Sequence, residues 1–232
     1  LYNYLLARQT GGQFILRIED TDQKRYVEGA EEELMEGLRW LGMEWDEGPD
    51  VGGDYGPYRQ TERREIYAKY ARQLVENGHA YYCFCSHDEE KEVDTEKHAR
   101  QQHRDICPDR DVDLTRANQK VKSGAEHVIR FRMPREGNIT VTDAVRGDIT
   151  VENSTLDDTI LVKSDGLPVY HLAVVVDDRL MKITHAIRTS EWLPTFPLHG
   201  HLYAAFGWEE PIWIHPSIFL KPDGKGKMSK RD

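Results

Sequence analysis

Cysteine is scarce in this chain of 232 residues, and positive charge is scarcer than negative. Three cysteines occur, Cys83, Cys85 and Cys107. An odd number makes no closed disulfide set, which points to a reducing compartment and a cytoplasmic location. Lysine and arginine total 31 against 41 acidic residues, for a formal net charge of −10. That balance excludes holding duplex nucleic acid by bulk charge, so any polyanion must meet a local patch. Long apolar runs are missing too. Stretches such as LAVVVDD at 172–178 are far too short to cross a bilayer, so no membrane partner is expected. The chain also opens without Met, inside a helix-like stretch, and stops directly after a motif. It therefore reads as an internal fragment of a longer protein, and targeting signals are not judged from it.

What is present suits a folded chain: 38% hydrophobic residues, with every aromatic type represented. LYNYLLAR (1–8) has helical character and is stopped by TGG (10–12). QFILRIED (13–20) predicts a buried strand ending in acids. VEGAEEELMEGLRWLG (27–42) predicts a helix with Ala30, Leu34, Leu38 and Leu41 on the inner stripe. TERREIYAKYARQLVENG (61–78) predicts another, with Ile66, Tyr70 and Leu74 inward. Strand–helix alternation of this kind predicts an α/β domain, a parallel sheet covered by helices. After residue 78 the pattern changes. HAYYCFC (79–85) predicts a strand, HDEEKEVDTEKHARQQHRD (87–105) a charged helix. Segments 127–134, 137–141, 147–151 and 158–173 predict short strands separated by turns. Helix–strand alternation resumes from 174 onward.

The chain ends in KPDGKGKMSKRD (221–232), a turn-rich cationic loop behind an apolar strand. Lysine ammoniums on such a loop are point charges that can close over a phosphate chain. KMSKR (227–231) resembles the second signature of the class I aminoacyl-tRNA synthetases. RIEDTD (17–22), DEGPDVGG (46–53) with GPYRQTER (56–63), KSDGLPVYHLAVVVDD (163–178) and IRTSEWL (187–193) resemble the glutamyl-tRNA synthetase branch. The blocks stand in the family's order and cover nearly the whole chain.

The resemblance implies a Rossmann-like catalytic domain split by an inserted mixed α+β module that binds the tRNA acceptor end. Its parts are 1–78, first catalytic half; 79–173, inserted module; and 174–232, second catalytic half. It implies ATP-dependent activation of L-glutamate, with Mg2+, and transfer to tRNA(Glu), by a monomer. Position by position, it implies that Glu19 holds the substrate ammonium and Tyr170 lines the amino-acid pocket. Arg188 would take the side-chain carboxylate, and Trp192 would wall the pocket. Lys230, helped by Lys227 and Ser229, would contact ATP. An arginine fork suits a carboxylate and penalises the uncharged amide. Thr189-Ser190 departs from the family's usual Gly or Ala followed by Glu, which affects the pocket edge. The HIGH-like first signature is expected upstream of Leu1 and the anticodon-binding region downstream of Asp232, so the fragment alone is expected to be inactive. A glutamyl-queuosine tRNA(Asp) synthetase and a non-catalytic synthetase-derived module are the rival readings; the full KMSKR string weighs against the first, and joint retention of Glu19, Tyr170, Arg188 and Lys230 against the second.

The inserted module carries the cysteines. Cys83 and Cys85 form C-x-C, and His103 and Cys107 are four apart, on one face if helical. Three sulfurs and an imidazole suit structural Zn2+ in a tetrahedron. His87 and His98 are alternative fourth ligands. The same module supplies Arg130, Arg132 and Arg135. The resemblance implies acceptor-phosphate contacts for these arginines, and pairing with nearby acids is the alternative.

Overall fold

A computed structural model describes the chain outside residues 24–26, 86–101, 222–225 and 227–232. The chain divides into two compact units: Leu1–Met133 with Asp157–Met181, and Pro134–Leu156 with Lys182–Asp232. These cuts follow contacts and differ from the expected boundaries at 79 and 174.

In the first unit, α1 (Tyr2–Thr10) ends at Gly11, whose left-handed φ of 69° closes the last turn. The segment after it is less regular than expected. Residues 13–20 make two isolated parallel bridges, Ile15 to Glu47 and Ile18 to Arg59, and are only half-buried. Helix α2 (Ala30–Trp40) is turned about its axis relative to the expected stripe. Met35 is buried and Leu38 half-buried, whereas Leu34 and Leu41 are exposed. The cause is Glu31, which accepts a forked ion pair from Arg59 Nε (3.1 and 3.0 Å) and Nη2 (2.6 Å). Helix α3 (Arg64–Glu76) buries Tyr67, Ala71, Leu74 and Val75, leaving Ile66 and Tyr70 at the edge.

The first unit's sheet is antiparallel, in the order β1 (Ala80–Cys83), β2 (Val128–Phe131), β5 (Ile160–Val162). Between β1 and β2 lie the short α4 (His103–Ile106) and α5 (Leu114–Lys122). Asp113 caps α5 by accepting from the amides of Thr115 and Arg116. Of the expected helix 87–105, residues 87–101 lie outside the described residues. The expected strand 158–173 stops at Val162. A turn at Lys163–Gly166 and then Pro168 break it, and α6 (Tyr170–Leu180) begins instead.

Helix α6 carries a buried polar cluster. Asp177 is fully buried and accepts from Arg63 Nε (2.7 Å), Gln60 Nε2 (2.9 Å) and the Tyr67 hydroxyl (2.7 Å). Arg63 also donates to the carbonyls of Tyr55 (3.2 Å) and Pro57 (3.0 Å). Burial and the neighbouring Asp177 carboxylate hold the Tyr67 hydroxyl well above the usual phenol range. A carboxylate at this depth is tolerated only because its partners replace the lost water.

In the second unit, β3 (Asn138–Asp143) and β4 (Gly147–Glu152) form an antiparallel hairpin. β6 (His185–Ile187), α7 (Phe196–Phe206) and β7 (Ile212–Ile214) form a parallel βαβ crossover, giving the sheet order β4-β3-β7-β6. Parallel strands need such a crossover, which is what the α/β pattern anticipated. Helix α7 lies tight on the hairpin at Gly200: a Cβ there would sit 2.5 Å from Val141 Cγ1.

Replacing Arg63 by Ala strands a buried carboxylate and is expected to cost about 3–5 kcal/mol. Tyr67→Phe, which removes one hydroxyl bond, is expected to cost about 1–2 kcal/mol. Urea unfolding of the two variants measures both, and equal costs would show that Asp177 does not depend on the arginine.

Candidate functional site

The first unit places Glu19 in the extended segment after α1, with its side chain 39% exposed. It is held from behind. Arg17 Nη2 donates to Glu19 Oε1 (3.1 Å) and to Asp178 Oδ1 (2.9 Å), and its Nε lies 3.8 Å from Asp177. Burial works against the Arg17 charge, yet Asp178, Glu19 and Asp177 together raise its pKa above the ordinary value. Asp20, beside Glu19, caps a distant element: its carboxylate accepts from Thr61 N (2.9 Å) and Thr61 Oγ1 (2.6 Å), at the start of the 3-10 turn Gln60–Arg63. So the acid pair of RIED divides its work, one group fixed inward and one left presentable.

Tyr170 is the first residue of α6, not a strand residue, and is half-buried with His171 edge-on at 5.6 Å. Asp177 and Asp178 lie on the same helix. In the second unit, Arg188 follows β6 directly, and its amide donates to the Ile214 carbonyl of β7 (3.0 Å). Its Nη1 lies 2.9 Å from His199 Nδ1, and its guanidinium carbon 5.2 Å from the centre of the Trp213 ring. Trp192 is partly exposed in the 3-10 segment Ser190–Thr195, which is tied to the chain beyond β7 by Ser190 N on Pro216 O (3.1 Å). Glu19 and Tyr170 thus belong to one unit, Arg188 and Trp192 to the other. Lys227, Ser229 and Lys230 lie outside the described residues. Of the residues before them, Lys221 N donates to Gly226 O (3.1 Å).

The structure does bring the cysteine cluster together. The ligand atoms of Cys83, Cys85, His103 and Cys107 all lie within 4.8 Å of one another. Cys107 Sγ is 3.7 Å from both Cys83 Sγ and Cys85 Sγ, and Cys83 Sγ is 3.4 Å from His103 Nε2. With zinc–sulfur bonds of about 2.3 Å, a tetrahedron has sulfur–sulfur edges of about 3.8 Å, which the two edges at Cys107 match. The helix α4 amides of His103 and Arg104 donate to Asp157 (2.8 and 3.0 Å), which anchors the imidazole. Asp109 accepts from Phe84 N (2.8 Å) and Lys120 Nζ (3.2 Å), fixing the backbone between the first two cysteines. The alternative ligands His87 and His98 lie outside the described residues.

Protons are distributed unevenly over the thiols. A hydrogen bond from Cys83, with help from His103, holds Cys107 down at about 3. The same contact with Cys107, followed by burial, raises Cys83; burial pushes Cys85 up to about 11.

The expected phosphate contact of Arg130 is corrected. Its side chain is buried and donates to the Asp158 carbonyl (3.0 Å), because β2 is covered on the face it points to. Arg132 lies half-exposed over the Tyr81 ring and pairs with Asp111 (3.0 Å). Arg135 is exposed. Residues that sequence reasoning missed are Arg17, Gln60, Arg63, Tyr67 and Asp177–Asp178, which fix Glu19, and His199 with Trp213, which flank Arg188. One signal was available: VVVDD (174–178) ends an apolar run in two acids, and buried acids demand cations.

In the second unit, a parallel βαβ crossover carries an arginine directly after a strand, where open α/β sheets bind ligands. The chain matches over residues 1–232 the family described as tRNA synthetases class I (E and Q), catalytic domain, and it belongs to that family. It is 49% identical over 236 residues to a glutamate–tRNA ligase of Fusobacterium nucleatum, covering all of this chain and 45% of that protein. It is 46% identical over 243 residues to one of Christiangramia forsetii, covering 48% of it. A crystal structure of a glutamate tRNA ligase from Elizabethkingia meningosepticum in complex with its amino acid is similar at a TM-score of 0.90 and 45% identity, covering 100% of this chain and 48% of that one. The chain therefore spans about half the length of these relatives. The Rossmann-like class I catalytic fold expected from the motifs holds. Among the described residues no helix is long and apolar enough to cross a membrane.

In metal-free protein near pH 7, iodoacetamide is expected to alkylate Cys107 at least about tenfold faster than Cys85, since the thiolate is the nucleophile. Raising the pH toward 11 should bring Cys85 in. Peptide mapping reads the order, and Cys85 reacting first would contradict the proton distribution.

Proposed function

We propose that the protein containing this chain is a glutamate–tRNA ligase. The observation that carries this reading is identity of nearly one half, over the entire chain, to relatives of that name. Retention of Glu19, Tyr170, Arg188, Trp192 and the KMSKR string supports it. In the reaction, the Glu19 carboxylate receives the substrate ammonium, and the Arg188 fork receives the side-chain carboxylate. Tyr170 and Trp192 wall the pocket. The α-carboxylate oxygen attacks the α-phosphorus of ATP, forming the mixed anhydride as the bond to pyrophosphate breaks. A terminal hydroxyl of tRNA(Glu) then attacks the activated carbonyl and AMP leaves. Lys227, Ser229 and Lys230 hold the triphosphate and neutralise charge that builds on it. Mg2+, when bound with ATP, adds further charge neutralisation. Orientation and charge placement carry the catalysis, with no covalent enzyme intermediate.

In the same reading, 1–78 and 174–232 are the two halves of the catalytic domain and 79–173 the acceptor-binding insertion, a division by family architecture and not by contact. The enzyme is a cytoplasmic monomer. The cluster of Cys83, Cys85, His103 and Cys107 holds a structural Zn2+, supported by its sulfur–sulfur edges.

Glutamylation of tRNA by the full-length protein tests the activity. Arg188→Ala is expected to raise KM for glutamate about 10–100-fold and to erode preference over glutamine, as expected for a lost charge-assisted bond. Lys230→Ala is expected to lower kcat about 100-fold. No glutamyl-tRNA from the full-length protein would refute the proposal. Metal analysis of protein purified with reduced thiols should find equimolar zinc, lost in Cys85→Ser; a zinc-free wild type would remove the metal assignment.

A further inference from the structure

We infer that His199 is a positioning residue for Arg188, acting as a neutral acceptor that aims the guanidinium. The inference rests on the reading of Arg188 as the group that takes the substrate's side-chain carboxylate.

Every guanidinium nitrogen is a donor and none accepts. Arg188 Nη1 is 2.9 Å from His199 Nδ1, so Nδ1 must offer its lone pair, and the ring carries its proton on Nε2. A doubly protonated imidazole has no lone pair to offer and would set two cations against each other at that distance. The bond therefore selects one tautomer of one charge state.

The surroundings hold the ring in place. His199 and Trp213 are each about 1% exposed. The two rings stack at 6.0 Å with 19° between their planes, and the Arg188 guanidinium carbon stands 5.2 Å from the same indole. The indole is itself fixed, its Nε1 donating to Glu210 Oε2 (2.7 Å). Next in the chain, Gly200 lets α7 lie on Val141, so the backbone carrying the imidazole has no room to shift. The imidazole and the indole together set both the direction and the plane of the fork.

The experiment is steady-state glutamylation by the full-length protein with three variants. His199→Phe keeps a ring against Trp213 and removes the acceptor. His199→Asn places an amide oxygen near the position of Nδ1. Arg188→Ala removes the partner. His199→Phe is expected to raise KM for glutamate about tenfold, with KM for ATP and kcat within about twofold; one lost hydrogen bond to a charged group has that size. His199→Asn is expected to recover most of the loss, and His199→Phe should add nothing in the Arg188→Ala background. An unchanged glutamate KM in His199→Phe, or a parallel rise in KM for ATP, overturns the inference. So does an additive effect in the double variant. If Arg188→Ala itself leaves glutamate KM unchanged, the reading of Arg188 fails; if it raises KM while His199→Phe does not, only the role of His199 fails. Should His199→Phe not fold, 15N NMR of histidine-labelled wild type decides: an unprotonated Nδ1 at His199 supports the inference, and a protonated one refutes it.

Discussion

A buried carboxylate governs the first unit. Asp177 is fully buried, so donors must be brought to it from elsewhere in the chain. Arg63 and Gln60 come from the loop before α3, Tyr67 from α3 itself, and Arg17 from the extended segment near the N-terminus. One acid on α6 thereby draws together two separated stretches of sequence, residue 17 and residues 60–67. The position of Glu19 follows, because the arginine that reaches Asp177 and Asp178 is the one that holds it. RIED, GPYRQTER and VVVDD are therefore parts of one electrostatic assembly within the first unit.

The second unit holds and aims an arginine. The parallel pair β6–β7 fixes the backbone of Arg188, and α7, drawn close to the hairpin at Gly200, brings up an imidazole. The aromatic group around Trp213 supplies rigidity there, with Phe196 at 5.0 Å and Tyr203 at 5.9 Å from its ring.

Much of this was legible in the sequence, for identifiable reasons. Glycine stops and apolar spacing located α1, α2 and α3, since both signals are local. The four metal-binding candidates were found because thiols and an imidazole announce their chemistry without any fold. What failed was non-local. The inward face of α2 was set by Arg59, 28 residues from Glu31, which no helical periodicity encodes. Tyr170 read as a strand residue because its β-branched and aromatic neighbours suit strands, while the Lys163–Gly166 turn and Pro168 decided otherwise. Arg130 looked like a phosphate contact and proved to be a buried donor to a carbonyl, since alternation along a strand shows that two residues share a face but not which face is covered. Asp20 caps a turn 41 residues away, which no local pattern encodes.

The amide of Arg188 hydrogen-bonds directly to the strand beside it. Side chains alternate across a sheet, so slipping β6 by a single residue along β7 would turn this guanidinium to the opposite surface. In the proposed enzyme, the accuracy with which an amino acid is matched to its codon is thus inherited from the accuracy with which two three-residue strands find their alignment during folding. Redesigning that choice would mean preserving a pairing frame as carefully as reshaping a pocket.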